Sequence, residues 1–510
     1  MKRREFLKLS SSAALMSPTI PENFGKTDST ARASTRESVA ETTSPILIAY
    51  GSEDHRRRLE NVAICEHAVR KSFRKHLITT YLPGQCSYNL GEYPCRKPWD
   101  PDDWDEHELD KLRDHGIRIV QVHEEWNDSQ RLFGGHKFAP LNPPGFHRFV
   151  GMVHRRGMKL IVYVSSGFFQ RTDPDFRREW ARNQDLLEIY YDYARCSPAG
   201  VGWRAYLLPH LVRILDEYGV DGFYNDLGYA KFANNPRAPT EDEVLAFEES
   251  AQRDGALTDL LALIYSEVKR RGGIVKVHLG AATRPRTDLK IYDYLWVGEE
   301  VKNGDYLRRA VKNFPPYVVP CLDLSRAKIK DEDELYLNSI PYMQFPLLLA
   351  GRPFTGERAA IPGIKYSPED QDFWTRHCRE IWKYYQAHPD GPYSYGWWDS
   401  VPGRPDARPT HGRWLQAYLP LVEEGTWAWL EISDSSFFPG PLPRDVVASA
   451  FANRELYLVL ANYGHSPVEI ETADAYVSVA GPSVVPKRRS KLEGRSLHIL
   501  QRSPRTGPQG

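Results

Sequence analysis

The chain carries no excess of either charge: 67 Lys and Arg balance 67 Asp and Glu over 510 residues. That excludes the basic surplus expected of a nucleic-acid binder. No apolar stretch reaches the roughly eighteen residues of a membrane span, so none is expected. Cysteine is scarce, with six residues (Cys65, Cys86, Cys95, Cys196, Cys321 and Cys378) and no CxxC pair. Neither a disulfide scaffold nor a metal site is therefore expected. A single Cys86–Cys95 bridge fits an oxidising compartment, and buried thiols fit equally well. There is no HExxH helix and no GxSxG elbow, which argues against zinc hydrolysis and acyl transfer. No Gly-rich phosphate loop follows an early strand, so an open nucleotide-binding sheet is disfavoured and no cofactor is expected.

What the chain does have is aromatic residues, 12% of the total, with 13 Trp and 28 Tyr. Flat aromatic faces suit stacking on sugar rings, and they also serve as core and cross-strand pairs. The second feature is a rhythm that starts near residue 103. A helical stretch (105–115) ends at Gly116 and passes into IRIVQV (117–122), tipped by His123-Glu124-Glu125-Trp126. A second helical stretch (145–156) leads through Gly157 into MKLIVYV (158–164), tipped by Ser165-Ser166-Gly167. A third (203–218) leads through Gly219 into VDGFYN (220–225), tipped by Asp226. A fourth (241–271) leads through Gly272-Gly273 into IVKVH (274–278). Glycine suits the left-handed position after a helix, and short apolar strands suit a parallel sheet covered on both faces.

The pattern continues through LKIYDYLWV (289–297), tipped by Gly298-Glu299-Glu300, then YVVPCL (317–322), tipped by Asp323, and PLLLA (346–350). With HLITTY (76–81) as the first, strands are expected near residues 77, 117, 158, 220, 274, 291, 317 and 346. An earlier apolar run, 45–50, also reads as a strand. The fold class predicted is α/β, a (β/α)8 TIM barrel, with an open doubly wound sheet as the alternative. Beyond residue 366 the texture changes. A helix is expected over 367–388 and a Gly/Pro/Trp-rich loop over 389–413. Short alternating runs then follow at 414–418, 426–432, 446–451, 456–462 and 468–472, which read as an antiparallel β-sandwich. The expected organisation is an N-terminal segment 1–44, a barrel 45–388, a linker 389–413, a β-sandwich 414–502 and a disordered tail 503–510.

The N-terminal sequence MKRREFLKLSSSAALM resembles a bacterial twin-arginine signal. Arg3-Arg4-Glu5-Phe6-Leu7-Lys8 carries the resemblance, followed by a mild apolar run and Ala31-Arg32-Ala33 as a small-x-small cleavage site. It implies export to the periplasm or beyond.

The strand tips hold the candidate chemistry, because barrel enzymes place catalytic groups at the C-terminal ends of their strands. Asp226 and either Glu299 or Glu300 form the expected catalytic pair, since the fourth and sixth strands face each other across a barrel mouth. His123, Glu124, Glu125, Trp126, Tyr224, Asn225, His278, Trp296 and Asp323 are the expected substrate-binding residues. Trp203 is a further candidate stacking residue, and Arg352 reads as a structural ion-pair partner. The acidic-aromatic tip Glu124-Glu125-Trp126, the unit 219–226 ending in Asp226 and the β-rich C-terminus resemble the α-galactosidase-like glycoside hydrolases. That resemblance implies a retaining O-glycosidase acting on an oligo- or polysaccharide, with Asp226 as nucleophile and the acid/base near Glu299-Glu300. It departs from the pattern at Tyr224, where that group carries lysine, and in offering Glu for an acid/base that is there Asp. The alternatives are a non-catalytic carbohydrate-binding protein on a degenerate barrel, or a polysaccharide lyase or deacetylase.

Overall fold

The computed structural model describes residues 51–90, 99–127, 136–170, 173–181, 193–226, 251–278, 287, 289–297, 303–321, 332–352, 407–479 and 485–503. Every structural statement below concerns these residues. The N-terminal stretch expected as a signal, the expected strand at 45–50 and the expected helix at 367–388 lie outside them.

Eight strands form one parallel sheet: β1 Gln85–Asn89, β2 Ile119–Val122, β3 Lys159–Ser165, β4 Gly222–Asp226, β5 Ile274–His278, β6 Tyr294–Val297, β7 Val318–Pro320 and β8 Leu348–Gly351. Their order across the sheet is 7-6-5-4-3-2-1-8. The sheet curls until its edges approach, and the Leu347 N–H donates to the Pro320 carbonyl at 3.2 Å. The helix–glycine–strand rhythm has a direct structural counterpart. Helix α1 spans Ser52–Ala68, α2 Asp103–His115, α3 Pro143–Arg155, α4 Val201–Tyr218 and α5 Ala251–Arg270. The glycines after α2 to α5 (Gly116, Gly157, Gly219 and Gly272) all adopt positive φ, which lets the chain leave each helix and re-enter the sheet. At the start of α2, Asp102 accepts from the Trp104 N–H at 2.9 Å while Asp105 accepts from the Asp102 N–H at 3.0 Å, a reciprocal cap.

An acidic residue at the lower edge of the sheet recurs as a register lock. The Asp221 N–H donates to the Leu160 carbonyl at 2.7 Å, and its carboxylate accepts from the Leu160 N–H at 2.8 Å. Asp293 repeats both contacts with Val275, at 2.7 and 3.0 Å. Each carboxylate also meets a lysine, Lys159 for Asp221 and Lys269 for Asp293. These bonds satisfy backbone groups where the strands begin, and they fix β4 against β3 and β6 against β5.

Two strand expectations need correction. The stretch 76–81 is not the first strand of the parallel sheet. Arg74–Leu77 instead pairs antiparallel with Trp427–Leu430 in the C-terminal sheet. The first parallel strand is Gln85–Asn89, whose polar residues are all buried. Residues 414–418, expected as a strand, are the end of the helix Ala407–Tyr418, which also takes in the last residues of the expected linker. Trp414, Leu415, Ala417 and Tyr418 of that helix are buried. A five-residue apolar run of this kind fits either element.

The C-terminal sheet has seven antiparallel strands, including Val446–Ala452, Leu456–Asn462, Val468–Ser478, Lys487–Leu492 and Ser496–Arg502. Its residues alternate between two cores. Phe451, Tyr457, Val459, Ala461 and Ile499 join the core of the parallel sheet. Ala450, Ala452, Leu456, Leu458 and Leu460 pack with Cys65 and Ala68 of α1. Polar ties reinforce the junction: Ser449 donates to the Pro341 carbonyl at 2.8 Å and the Tyr463 hydroxyl to that of Leu337 at 3.0 Å.

Candidate active site

The side chains of β4 alternate across the sheet. Tyr224 and Asp226 turn to its concave face, where Tyr224 meets the rings of His123 at 5.3 Å, Tyr163 at 5.8 Å and His278 at 6.1 Å. The Tyr163 hydroxyl donates to Asp226 Oδ2 at 2.9 Å. His278 Nδ1 stands 3.7 Å from Asp226 Oδ1. Trp296 packs edge-on against His278 at 4.0 Å. Asp226 keeps 17% of its side chain exposed, so the carboxylate is oriented by the protein yet open to a ligand. The structure thus gathers His123, Tyr224, Asp226, His278 and Trp296 at the C-terminal ends of β2, β4, β5 and β6.

Asn225, Trp126 and Trp203 do not join this group. Asn225 faces the helix layer, where its side-chain oxygen accepts from the Ser166 N–H at 3.0 Å. Trp126 is 1% exposed, packs on Phe146 and donates its indole N–H to the Tyr163 carbonyl at 2.8 Å. It therefore holds the strand that carries Tyr163 and offers no face to a sugar. Trp203 is likewise buried, bonding the Ser166 carbonyl at 2.9 Å. Glu299, Glu300 and Asp323 lie outside the described residues, as does Cys95. Cys86 is a buried thiol outside any disulfide. Among the described residues no cluster of His, Cys, Asp or Glu has the form of a metal site.

Glu124 and Glu125 form a buried turn after β2. The Glu125 carboxyl is pushed up to about 8, mainly by burial and also by Glu124, while the backbone amides of Glu125 and His123 act in the opposite direction. One of its oxygens has no hydrogen-bond partner among the described residues. A raised folded-state value means that the protonated form is favoured on folding. The associated stability is full below the unfolded value near 4.5 and is lost as pH climbs toward 8. Between about pH 5 and about pH 8, wild type should lose on the order of 3 kcal/mol relative to Glu125→Gln. Urea midpoints measured across that range check this, and parallel curves for the two proteins would contradict it.

Arg352, after β8, pairs with Asp105 at 2.5 Å and Asp102 at 2.8 Å and lies over the Trp104 ring. Asp105 is fully buried and also accepts from the Tyr88 hydroxyl at 2.7 Å. Arg352 therefore locks the last strand to α2. Arg352→Met should cost about 2 kcal/mol, because it leaves a buried carboxylate short of its counter-ion. Thermal melts read the loss, and no shift in Tm would remove this role.

Two buried lysines were missed in the sequence. The Lys137 ammonium donates to the Phe168 carbonyl and lies 5.2 Å from the centre of the Phe169 ring. Burial pushes it down to about 8, while Cys196, Glu124 and Asp226 act to raise it. Lys276 on β5 sits in register with Tyr224, so a lysine stands beside the position where the α-galactosidase-like pattern expects one. It is fully buried and donates to Gln121 Oε1 at 2.7 Å. The signal for it was present: IVQV and IVKV each hold one long polar residue within an apolar strand.

No family model matches the chain, and no curated protein matches it. Solved structures do. An isomaltulose synthase mutant from Erwinia rhapontici NX5, in complex with D-glucose, aligns with a TM-score of 0.50 at 11% identity, covering 84% of this chain and 100% of that one. A noncanonic maltogenic α-amylase from Thermotoga neapolitana aligns with a TM-score of 0.47 at 12% identity, covering 83% and 99%. At 11% identity the likeness to the isomaltulose synthase is one of fold.

Proposed function

We propose that the chain is a glycosidase, a retaining (β/α)8-barrel enzyme with a C-terminal β-sandwich, acting on an oligo- or polysaccharide. The observation that carries this reading is Asp226: a carboxylate at the end of the fourth parallel strand, held by the Tyr163 hydroxyl at 2.9 Å and partly exposed among aromatic rings. In the proposed reaction an Asp226 oxygen attacks the anomeric carbon as the glycosidic C–O bond breaks. Glu299 or Glu300 protonates the leaving oxygen and then deprotonates the water that releases the sugar. His123 and His278 border the sugar, backed by the buried rings of Tyr224 and Trp296. Export by the twin-arginine route is part of the same proposal and rests on residues 3–8.

The strand-tip resemblance is to the α-galactosidase-like group, whereas the fold likeness is to an isomaltulose synthase whose structure holds D-glucose. A panel of aryl α-galactosides, aryl α-glucosides and unmodified oligosaccharides tests both, with the anomer of the first product read by proton NMR. Hydrolysis with retention is expected. Tyr224, standing where a lysine is expected, favours a non-catalytic carbohydrate-binding protein as the second reading. Sugar binding without turnover across the panel would establish that reading instead.

A further inference from the structure

The concave face below the site holds a continuous polar chain. Lys276 Nζ donates to Gln121 Oε1 at 2.7 Å, and Gln121 Nε2 lies 3.2 Å from His123 Nε2. All three side chains are buried. The titratable groups around Lys276 are Cys86 from β1, His123 after β2, Tyr224 on β4, His278 on its own strand and Cys321 after β7.

Hydrogen-bond logic then assigns the protons. Burial pushes Lys276 down to about 7, and below that pH it is an ammonium with protons only to donate, so the amide oxygen must face it. The amide NH2 therefore faces His123, whose Nε2 must accept. A neutral imidazole that accepts at Nε2 carries its proton at Nδ1. Burial, with the charges of Lys276 and His278 adding to it, holds His123 down to about 3, so the ring is neutral. Its Nδ1 is buried and has no partner among the described residues. A buried N–H without a partner is costly unless a ligand supplies one.

We infer that Lys276 and Gln121 are positioning residues that fix His123 as its Nδ1–H tautomer, so that the site offers a neutral, buried donor to a hydroxyl oxygen of the bound sugar. The sugar part of this inference rests on the glycosidase reading; the tautomer part does not.

The test is long-range proton–nitrogen NMR on full-length protein labelled at the histidine ring nitrogens, with His123 assigned by its loss in His123→Asn. In wild type, Nδ1 should resonate as a protonated nitrogen and Nε2 as an unprotonated one. Gln121→Glu places an acceptor against Nε2 and should reverse that pattern. Lys276→Met releases the amide to turn over and should give a mixture. An Nε2–H ring in wild type would overturn the inference without any variant having to fold. So would an unchanged tautomer in a folded Gln121→Glu protein. On a substrate found by the glycoside panel, Gln121→Glu should raise KM roughly tenfold, the loss of one hydrogen bond, with kcat changed far less. An unchanged KM despite a reversed tautomer would remove the sugar contact. If wild type turns over no glycoside, the NMR result still decides the tautomer.

Discussion

Asp226→Asn should lower turnover about 10⁴-fold or more while leaving the fold intact. Asn matches Asp in shape, so the 2.9 Å contact with the Tyr163 hydroxyl can persist. The amide, however, is no nucleophile toward an anomeric carbon and carries no charge to stabilise an oxocarbenium-like transition state. Losses of this order follow when a covalent catalyst is removed and only binding and the remaining groups act. The role is checked further with Asp226→Ala and added azide. The smaller side chain opens space beside Tyr163, and the azide anion can attack in place of the carboxylate, giving a glycosyl azide of inverted configuration. Retention of more than a tenth of wild-type kcat in Asp226→Asn would remove Asp226 from the nucleophile's role. Tight sugar binding that survives in the variant would separate a catalytic defect from an unfolded site.

Gly222→Ala should be among the most damaging single-methyl changes in the chain, costing about 5 kcal/mol or abolishing soluble protein. Gly222 opens β4 with φ near 143°, a region that L side chains rarely adopt. It is paired in register with Ile274 of β5, and a Cβ there would lie 1.9 Å from the Ile274 carbonyl oxygen. That obstacle is backbone, and Ile274 is itself held by its N–H bond to the Asp221 carbonyl at 2.7 Å. The strands would have to part where the strand carrying Asp226 begins. Chemical denaturation, or the soluble yield where none survives, measures the effect. A loss below about 1 kcal/mol would mean that the sheet can yield at this point.

The two expectations share a root in the segment 219–226, and this segment was legible in the sequence. Gly219, an apolar run and a polar tip mark a helix end, a strand and a site without reference to any neighbour. The strands β2 to β8 were found in the same way, because each is an apolar run with a break before it. β1 escaped because its signal is inverted. Gln85, Ser87 and Asn89 are polar yet buried, and their partners lie far along the chain or in a loop: Asn89 bonds the Arg352 carbonyl and Gln85 that of Leu82. Residues 76–81 misled for the opposite reason. They have the composition of a strand, but whether Arg74–Leu77 pairs with β1 or with Trp427–Leu430 is decided some 350 residues away.

For the site, the sequence named the strand tips but could not sort them. Trp126 and Trp296 look alike as tip residues, yet one is fastened to the Tyr163 carbonyl and the other packs against His278. Local pattern determined which residues form strands, where helices end, and that a carboxylate stands at the fourth strand's tip, because those follow from backbone conformation and the alternation of apolar residues. Tertiary structure alone decided that Tyr163 holds Asp226, that Lys276 lies beside Tyr224, and that Glu125 is buried enough to keep its proton. Hydrogen bonding and desolvation depend on what the folded chain brings within a few ångströms, and no local pattern encodes that.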